Sequence, residues 1–256
     1  MRSKPNCSGK PMTHMPDSSF FFAPGFLGEG DDGIFLKKLG AHYIGLDFFS
    51  PTGLLSQGLK TETGFTQLAE KIFQQIVAKD ASNKINLVGY SLGGRVLAHV
   101  FLKEPESFHR LYLISSHLGL PSEEERIARK AMDAVWAEKF LTMNWTDVMQ
   151  EWNGQSVFAG GGVPDRKENS FHRHSLSLAF TALSLGAQEN LEARLLPYQD
   201  RIVYVYGEKD SKFVDLAQRY ANQGFETQMI RQSGHRVIFD QPDQILELIQ
   251  KSSPSM

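Results

Sequence analysis

Cysteine is almost missing from this chain: of 256 residues, only Cys7 carries a thiol. A single thiol excludes an intrachain disulfide and any cysteine-based metal cluster, so the expected compartment is a reducing one. Long apolar runs are missing too. No stretch approaches the ~18 apolar residues of a membrane-spanning helix, and the amino-terminal residues hold no apolar signal core. The expectation is a cytoplasmic protein with no membrane partner. Charge of one sign is also lacking. Lys and Arg number 27 against 29 Asp and Glu, a formal net charge of −2, which argues against a nucleic-acid partner while leaving local basic patches possible. Repeats and low-complexity segments are absent as well.

What is present suits one large globular domain. Hydrophobic residues make up 41% and charged residues 22%, ordinary values for a folded chain. A chain of this length buries roughly 70–75% of its unfolded surface and needs no covalent staples. Residues 1–18 are polar and rich in Pro, Ser and Lys, which predicts a disordered tail; Met12 or Met15 could equally be the natural start.

The informative stretch is Gly89-Tyr90-Ser91-Leu92-Gly93-Gly94-Arg95. Before it, Lys84-Ile85-Asn86-Leu87-Val88 reads as a buried strand; after it, Val96 to Leu102 reads as a helix packed on a sheet. A serine between glycines at a strand-to-helix junction has the form of a nucleophile elbow. The turn lifts the hydroxyl out of the sheet and sets it at a helix N-terminus, where backbone N–H groups face an incoming anion.

The rest of the chain keeps the rhythm of a parallel sheet covered on both faces. Ser19–Ala23, Tyr43–Phe48, Arg110–Ser116, Arg201–Tyr206 and Phe225–Ile230 read as further strands. Helices are expected over Phe65–Lys79, Lys212–Asn222 and Pro242–Lys251. From Leu118 to about Gln188 no strand-like run appears. Instead Ser122-Glu123-Glu124-Glu125 forms a capping box, followed by the apolar spacings Ile127/Ala131/Val135 and Ala128/Met132/Trp136. Helical stretches follow at Trp145–Trp152 and about Arg173–Gly186. The expected architecture is α/β, with a core of residues 19–117 and 189–256 and a helical lid of residues 118–188.

A serine hydroxyl is a weak nucleophile or base until a neighbour takes its proton. Histidine suits that task, and a carboxylate must then hold its tautomer. In this architecture the chain order is Ser, Asp or Glu, His, and Ser91, Asp210 and His235 obey it. Asp210 follows a strand end and His235 follows the last strand, so all three converge on the carboxyl edge of the sheet, where open α/β sheets bind ligands. Asp215 falls within a helix and Asp200 on the wrong edge, while His117 stands on the correct edge as a reserve base. Two donors are needed where negative charge develops. The N–H of Leu92 is one, and that of Phe26, in the loop Pro24-Gly25-Phe26-Leu27-Gly28-Glu29-Gly30, is the natural second.

With these residues in place, the chain resembles the α/β-hydrolase superfamily from about Phe20 to Ile249. More narrowly, it resembles the 2-succinyl-6-hydroxy-2,4-cyclohexadiene-1-carboxylate synthases of menaquinone biosynthesis. The matching pieces are Gly25 to Gly28, Gly89 to Arg95, Glu124-Glu125 through Ala128-Arg129, Trp136-Ala137, Glu151-Trp152, Gly207 to Phe213 and Gly234-His235. The resemblance implies elimination of pyruvate from a polycarboxylate, with the triad serine acting as base toward a carbon-bound proton and no metal or organic cofactor. It further implies substrate contacts from Tyr90, Arg95, Arg129, Trp152 and Arg173. Guanidinium–carboxylate pairing makes the arginines sensible. Each has a plainer role open to it: Arg129 beside Arg126 and Lys130 as a solvated helix face, Arg95 in solvent, Tyr90 and Trp152 in packing, and Arg166 competing with Arg173. The family usually has His-Gly where this chain has Pro24-Gly25, so the loop's support must differ. The rival readings are a carboxylesterase or thioesterase for an acidic substrate and a non-catalytic binding protein. The implied partner is a small polycarboxylate; the oligomeric state stays open, with a monomer favoured.

Overall fold

The computed structural model describes residues 18–40, 42–80 and 85–252. Apart from Ser18, the expected tail lies outside the described residues, as does Cys7. Six strands form one sheet in the order β2-β1-β3-β4-β5-β6. They are β1 (Ser19–Ala23), β2 (His42–Gly45), β3 (Ile85–Tyr90), β4 (Arg110–Ile114), β5 (Ile202–Gly207) and β6 (Glu226–Ile230). Every neighbouring pair is parallel. The helices are α1 (Gly64–Lys79), α2 (Leu92–Phe101), α3 (Glu123–Thr142), α4 (Trp145–Asn153), α5 (Arg173–Ala182), the short α6 (Glu192–Leu195), α7 (Ser211–Asn222), the short α8 (Val237–Asp240) and α9 (Pro242–Ser252).

The inner strands β1, β3, β4 and β5 are almost wholly buried because helices cover both faces. Alternation along β1 sorts its phenylalanines: Phe21 joins the core with Leu68 and Ile72 of α1, Val96 of α2 and Leu216 of α7. Phe20 and Phe22 point the other way, toward Leu36, Leu39 and Ile245 and Leu246 of α9. The outer strands β2 and β6 are partly exposed, as edge strands are. β2 is shorter than its sequence suggests. The chain turns away after Gly45, and Phe48 and Phe49 are fully buried in the loop that follows; their apolar character serves core packing, which strand periodicity imitates.

Between β4 and β5 the chain builds α3, α4, α5 and the short α6, and no strand. α3 opens at the expected box, with Ser122 Oγ accepting from Glu125 N–H at 3.2 Å. It then presents an unexpected side. Ile127, Met132 and Val135 are 60%, 63% and 56% exposed, while Asp133, Ala137 and Phe140 pack inward. The Ile127/Ala131/Val135 spacing therefore runs along the outer surface of the helix, while Met132 and Trp136 of the second spacing line a cavity. The inserted segment closes at a narrow neck. Leu191 N–H donates to Leu118 O at 2.7 Å, and a Cβ on Gly119, which has φ 128°, would lie 2.5 Å from Asn190 Cα.

Candidate active site

The chemistry-bearing residues sit where strands end. β3 runs into Ser91, whose backbone is turned to φ 51°, ψ −112°, a conformation that persists only where the surroundings over-determine it. Those surroundings are glycines. A Cβ on Gly89 would lie 2.3 Å from Gly94 Cα, and one on Gly93 would lie 2.1 Å from the Ala23 carbonyl oxygen. Strand and helix come this close only without side chains. Ser91 N–H donates to Ile114 O at 2.8 Å, and Ser116 Oγ donates to Ser91 O at 2.9 Å. Nothing in the sequence singles out Ser116 as a prop for the turn.

Asp210 and His235 arrive from β5 and β6. A Cβ on Gly207 would lie 2.1 Å from Gly234 O, and Lys209 N–H donates to Ser233 O at 2.9 Å, so the two loops are drawn together. Asp210 Oδ2 then lies 2.8 Å from His235 Nδ1, and His235 Nε2 lies 3.2 Å from Ser91 Oγ. The imidazole is walled by Phe213, with ring centroids 4.8 Å apart, and by Phe158 at 5.9 Å. A proton can pass along this line from hydroxyl to imidazole while the carboxylate fixes the tautomer. His117 is poorly suited to the reserve role. Its Nδ1 accepts from Gly119 N–H at 3.0 Å. Burial first, then the Lys212 and Arg219 charges, push its pKa down to about 3.

Ser91 and His235 open on a cavity of about 480 Å³ that Phe26 and Leu92 also line. Leu92 opens α2, so its N–H is among the first-turn donors without an intrahelical acceptor. Phe26 sits in a turn closed by Gly28 N–H donating to Gly25 O at 3.0 Å, with Leu27 at φ 58°. Its ring is gripped by Phe49, Phe140, Trp152 and Phe180 at centroid distances of 5.6, 5.0, 4.8 and 4.4 Å. That aromatic clamp anchors the loop in a chain that has proline at position 24.

Arg95, Arg129 and Trp152 line the same cavity. Arg95 Nη1 donates to Leu183 O at 3.0 Å, and burial first, then the Arg129 charge, lower its pKa. Arg129 Nε donates to Asp133 Oδ1 at 2.8 Å, and Ser184 Oγ donates to Asp133 Oδ2 at 2.7 Å. Arg173, by contrast, does not line this cavity. It donates to Phe140 O at 3.0 Å and Met143 O at 2.8 Å and pairs with Glu168 at 2.7 Å, which caps the carboxyl end of α3. Arg166 is equally occupied, donating to Asp32 Oδ2 at 2.6 Å. Tyr90 does not line this cavity either. It lies behind the relay, its ring 5.8 Å from the imidazole, and borders a separate void of about 30 Å³. The cation that does join the two arginines is Lys212, where desolvation and then the Arg129 charge lower the ammonium pKa. It stands within the Gly207–Phe213 segment, two residues past Asp210, and that placement was the available signal. Among the described residues, no group of three or more His, Cys, Asp or Glu side chains is disposed to hold a metal ion, and no helix is long and apolar enough to cross a membrane.

Residues 16–248 match the alpha/beta hydrolase family. The chain belongs to the alpha/beta hydrolase family. This alpha/beta hydrolase has bacterial relatives named 2-succinyl-6-hydroxy-2,4-cyclohexadiene-1-carboxylate synthase. The protein of Escherichia coli O1:K1 is 32% identical over 184 residues, which cover 70% of this chain and 71% of that one. The protein of Citrobacter koseri is 34% identical over 166 residues, covering 63% and 65%. Among solved structures, MenH from S. aureus aligns with a TM-score of 0.80 at 20% identity, over 93% of this chain and 94% of that one. An esterase from Thermogutta terrifontis aligns with a TM-score of 0.69 at 16% identity, over 93% and 90%. The structural likenesses establish the α/β-hydrolase fold, and the sequence relatives make this chain an enzyme of that fold.

Proposed function

We propose that this alpha/beta hydrolase acts in menaquinone biosynthesis, eliminating pyruvate from a polycarboxylate to give 2-succinyl-6-hydroxy-2,4-cyclohexadiene-1-carboxylate. The observation that carries this reading is the company kept by Ser91: Arg95, Arg129 and Lys212 line its cavity, a set of cations suited to several carboxylates. The names borne by the sequence relatives point the same way. In this mechanism His235 Nε2 takes the Ser91 Oγ proton and Asp210 stabilises the imidazolium. The Ser91 oxygen then removes a carbon-bound proton. The freed electron pair forms a carbon–carbon double bond as the C–O bond to the departing pyruvate unit breaks. The N–H groups of Leu92 and Phe26 stabilise the oxyanion that develops on the departing enolpyruvate oxygen; the imidazolium gives its proton to that leaving group, while Ser91 keeps the proton taken from carbon. Trp152 and Phe26 supply an apolar wall that excludes water. Residues 118–188 act as the lid, the substrate is a small molecule, and the enzyme works in the cytoplasm.

Pyruvate release from the pathway intermediate, followed with purified enzyme, tests the reading. Ser91→Ala is expected to lower kcat by about 10²–10⁴-fold, and Arg95→Ala to lower kcat/KM by about 10–100-fold through a lost charge-assisted contact. A carboxylesterase would instead cleave aryl or methyl esters rapidly and leave the intermediate untouched. That pattern would overturn the synthase assignment while retaining the relay.

A further inference from the structure

The cavity contains polar groups beside Lys212 to which the mechanism above gives no part. Ser115, directly after β4, is held at φ 47° and is 1% exposed. Its Oγ has no hydrogen-bond partner among the described residues, yet the residue lines the cavity. A buried hydroxyl left unpaired costs free energy, and native structures rarely keep one without a reason. Two residues on, His117 lines the same wall and is 6% exposed. Because Nδ1 accepts from the Gly119 N–H, the neutral ring carries its proton on Nε2. That N–H has no protein acceptor among the described residues and is left as a donor. Lys212 reaches the wall from α7; among the described residues it makes no salt bridge, and the Asp210 and Glu125 charges act on it only from a distance. Gln188, fully buried, ties the wall to the arginines: it donates to His117 O at 3.1 Å and accepts from Arg95 Nη1 at 3.4 Å.

A hydroxyl, a neutral N–H and an ammonium on one wall are three donors awaiting oxygen acceptors. We propose that Ser115, His117 and Lys212 form a second carboxylate-binding cradle in the cavity, distinct from the Arg95–Arg129 pair. The inference rests on the polycarboxylate reading and deepens it. With Arg173 engaged elsewhere, a substrate bearing several carboxylates needs a second anchor, and this wall supplies it. Keeping His117 neutral gives the cradle directionality without a further positive charge beside Arg95 and Arg129. These are positioning residues, so they should govern affinity rather than the chemical step.

The test separates binding from turnover. Succinate serves as the probe, titrated calorimetrically into the Ser91→Ala protein. Ser115→Ala, His117→Phe and Lys212→Met, each added to that background, are expected to weaken succinate by about tenfold. In the active enzyme each should raise KM by a similar factor and leave kcat within about threefold. His117→Gln, which keeps an N–H, should recover part of the loss. Imidazole ¹⁵N spectra give a readout that does not depend on the variants folding: the His117 ring should be neutral and protonated at Nε2, and that resonance should move when succinate binds. A proton on Nδ1, resonances unmoved at saturating succinate, or variants that bind within twofold of the parent would each overturn the cradle. Weakened succinate binding in a protein that releases no pyruvate would leave the cradle standing and remove the synthase reading. Normal pyruvate release with unchanged affinity in all three variants would do the reverse.

Discussion

A methyl group added at Gly93 would sit 2.1 Å from the carbonyl oxygen of Ala23. Neither atom belongs to a flexible side chain, so the strand–helix junction itself would have to open. Gly93→Ala is therefore expected to cost about 2–3 kcal/mol of stability and to lower kcat as well, since Ser91 rides on that junction; urea unfolding and pyruvate release measure the two. Arg173→Ala should behave differently. It removes donors to Phe140 O and Met143 O, so about 1–2 kcal/mol of stability should go while kcat stays within twofold. A large loss of kcat in a variant of undiminished thermal stability would return Arg173 to the substrate. These residues also show what the sequence made readable. Ser91, Asp210 and His235 could be named because chain order and strand ends constrain them, and the elbow glycines because a tight junction leaves no alternative. Arg173 could not be placed, because no repeating register in the inserted segment tells which way a helical arginine points. Ser115 carried no signal, since its interest arises only from being buried without a partner.

At the scale of elements, the inserted helices are fastened to the catalytic loops from two sides. Arg236, the residue after His235, donates to Gly162 O at 3.2 Å and to Asn153, and its guanidinium lies 4.1 Å from the Phe158 ring centroid. Arg166 pairs with Asp32 at 2.6 Å, and Asp32 in turn accepts from Glu29 N–H at 3.0 Å, beside the Phe26 loop. Arg236→Met should loosen the first fastening. Amide exchange is expected to speed up over residues 153–162 and to stay unchanged in β1 and β3; uniform acceleration throughout the chain would refute a local latch. The outward face of α3 makes a second expectation. Ile127→Glu and Val135→Lys should alter stability by less than about 0.5 kcal/mol, although periodicity alone would place both in a core. Helix existence was readable from that spacing, but the buried side was not. α3 packs through Asp133, Ala137 and Phe140, and Asp133 is buried because Arg129 and Ser184 satisfy it. Partners that lie far away in sequence decide such a residue.

Over the whole molecule, buried imidazoles set the acid limit. His99 and His117 are pushed down to about 4 and about 3, chiefly by burial and then by neighbouring cations, against ~6.5 in the unfolded chain. The unfolded state therefore binds more protons between these values. Their contribution to stability is complete above about pH 6.5 and is lost as pH falls toward the folded values. Asp32 works in the opposite sense, since burial raises its pKa and it favours the folded state at lower pH. Near pH 6.5 the unfolded imidazoles titrate and an unfolded carboxylate does not, so the histidines govern the slope there, each worth on the order of 3–5 kcal/mol when fully expressed. The urea midpoint should fall between pH 7 and 4.5, and His99→Phe should flatten that slope; a midpoint independent of pH across this range would show that the rings protonate freely. The neck of the insertion bears on a different matter, modular redesign. Leu118 and Leu191 are joined by a backbone hydrogen bond of 2.7 Å, so the chain enters and leaves the insertion at one doorway on the sheet. The corresponding segment of another enzyme with the same sheet would enter at that doorway without re-registering any strand, provided that it replaced the rings that hold Phe26 and the Arg166 pair with Asp32. The six-stranded platform would then act as a socket that keeps the proton relay, with the shape and charge of the pocket set by the cassette plugged into it.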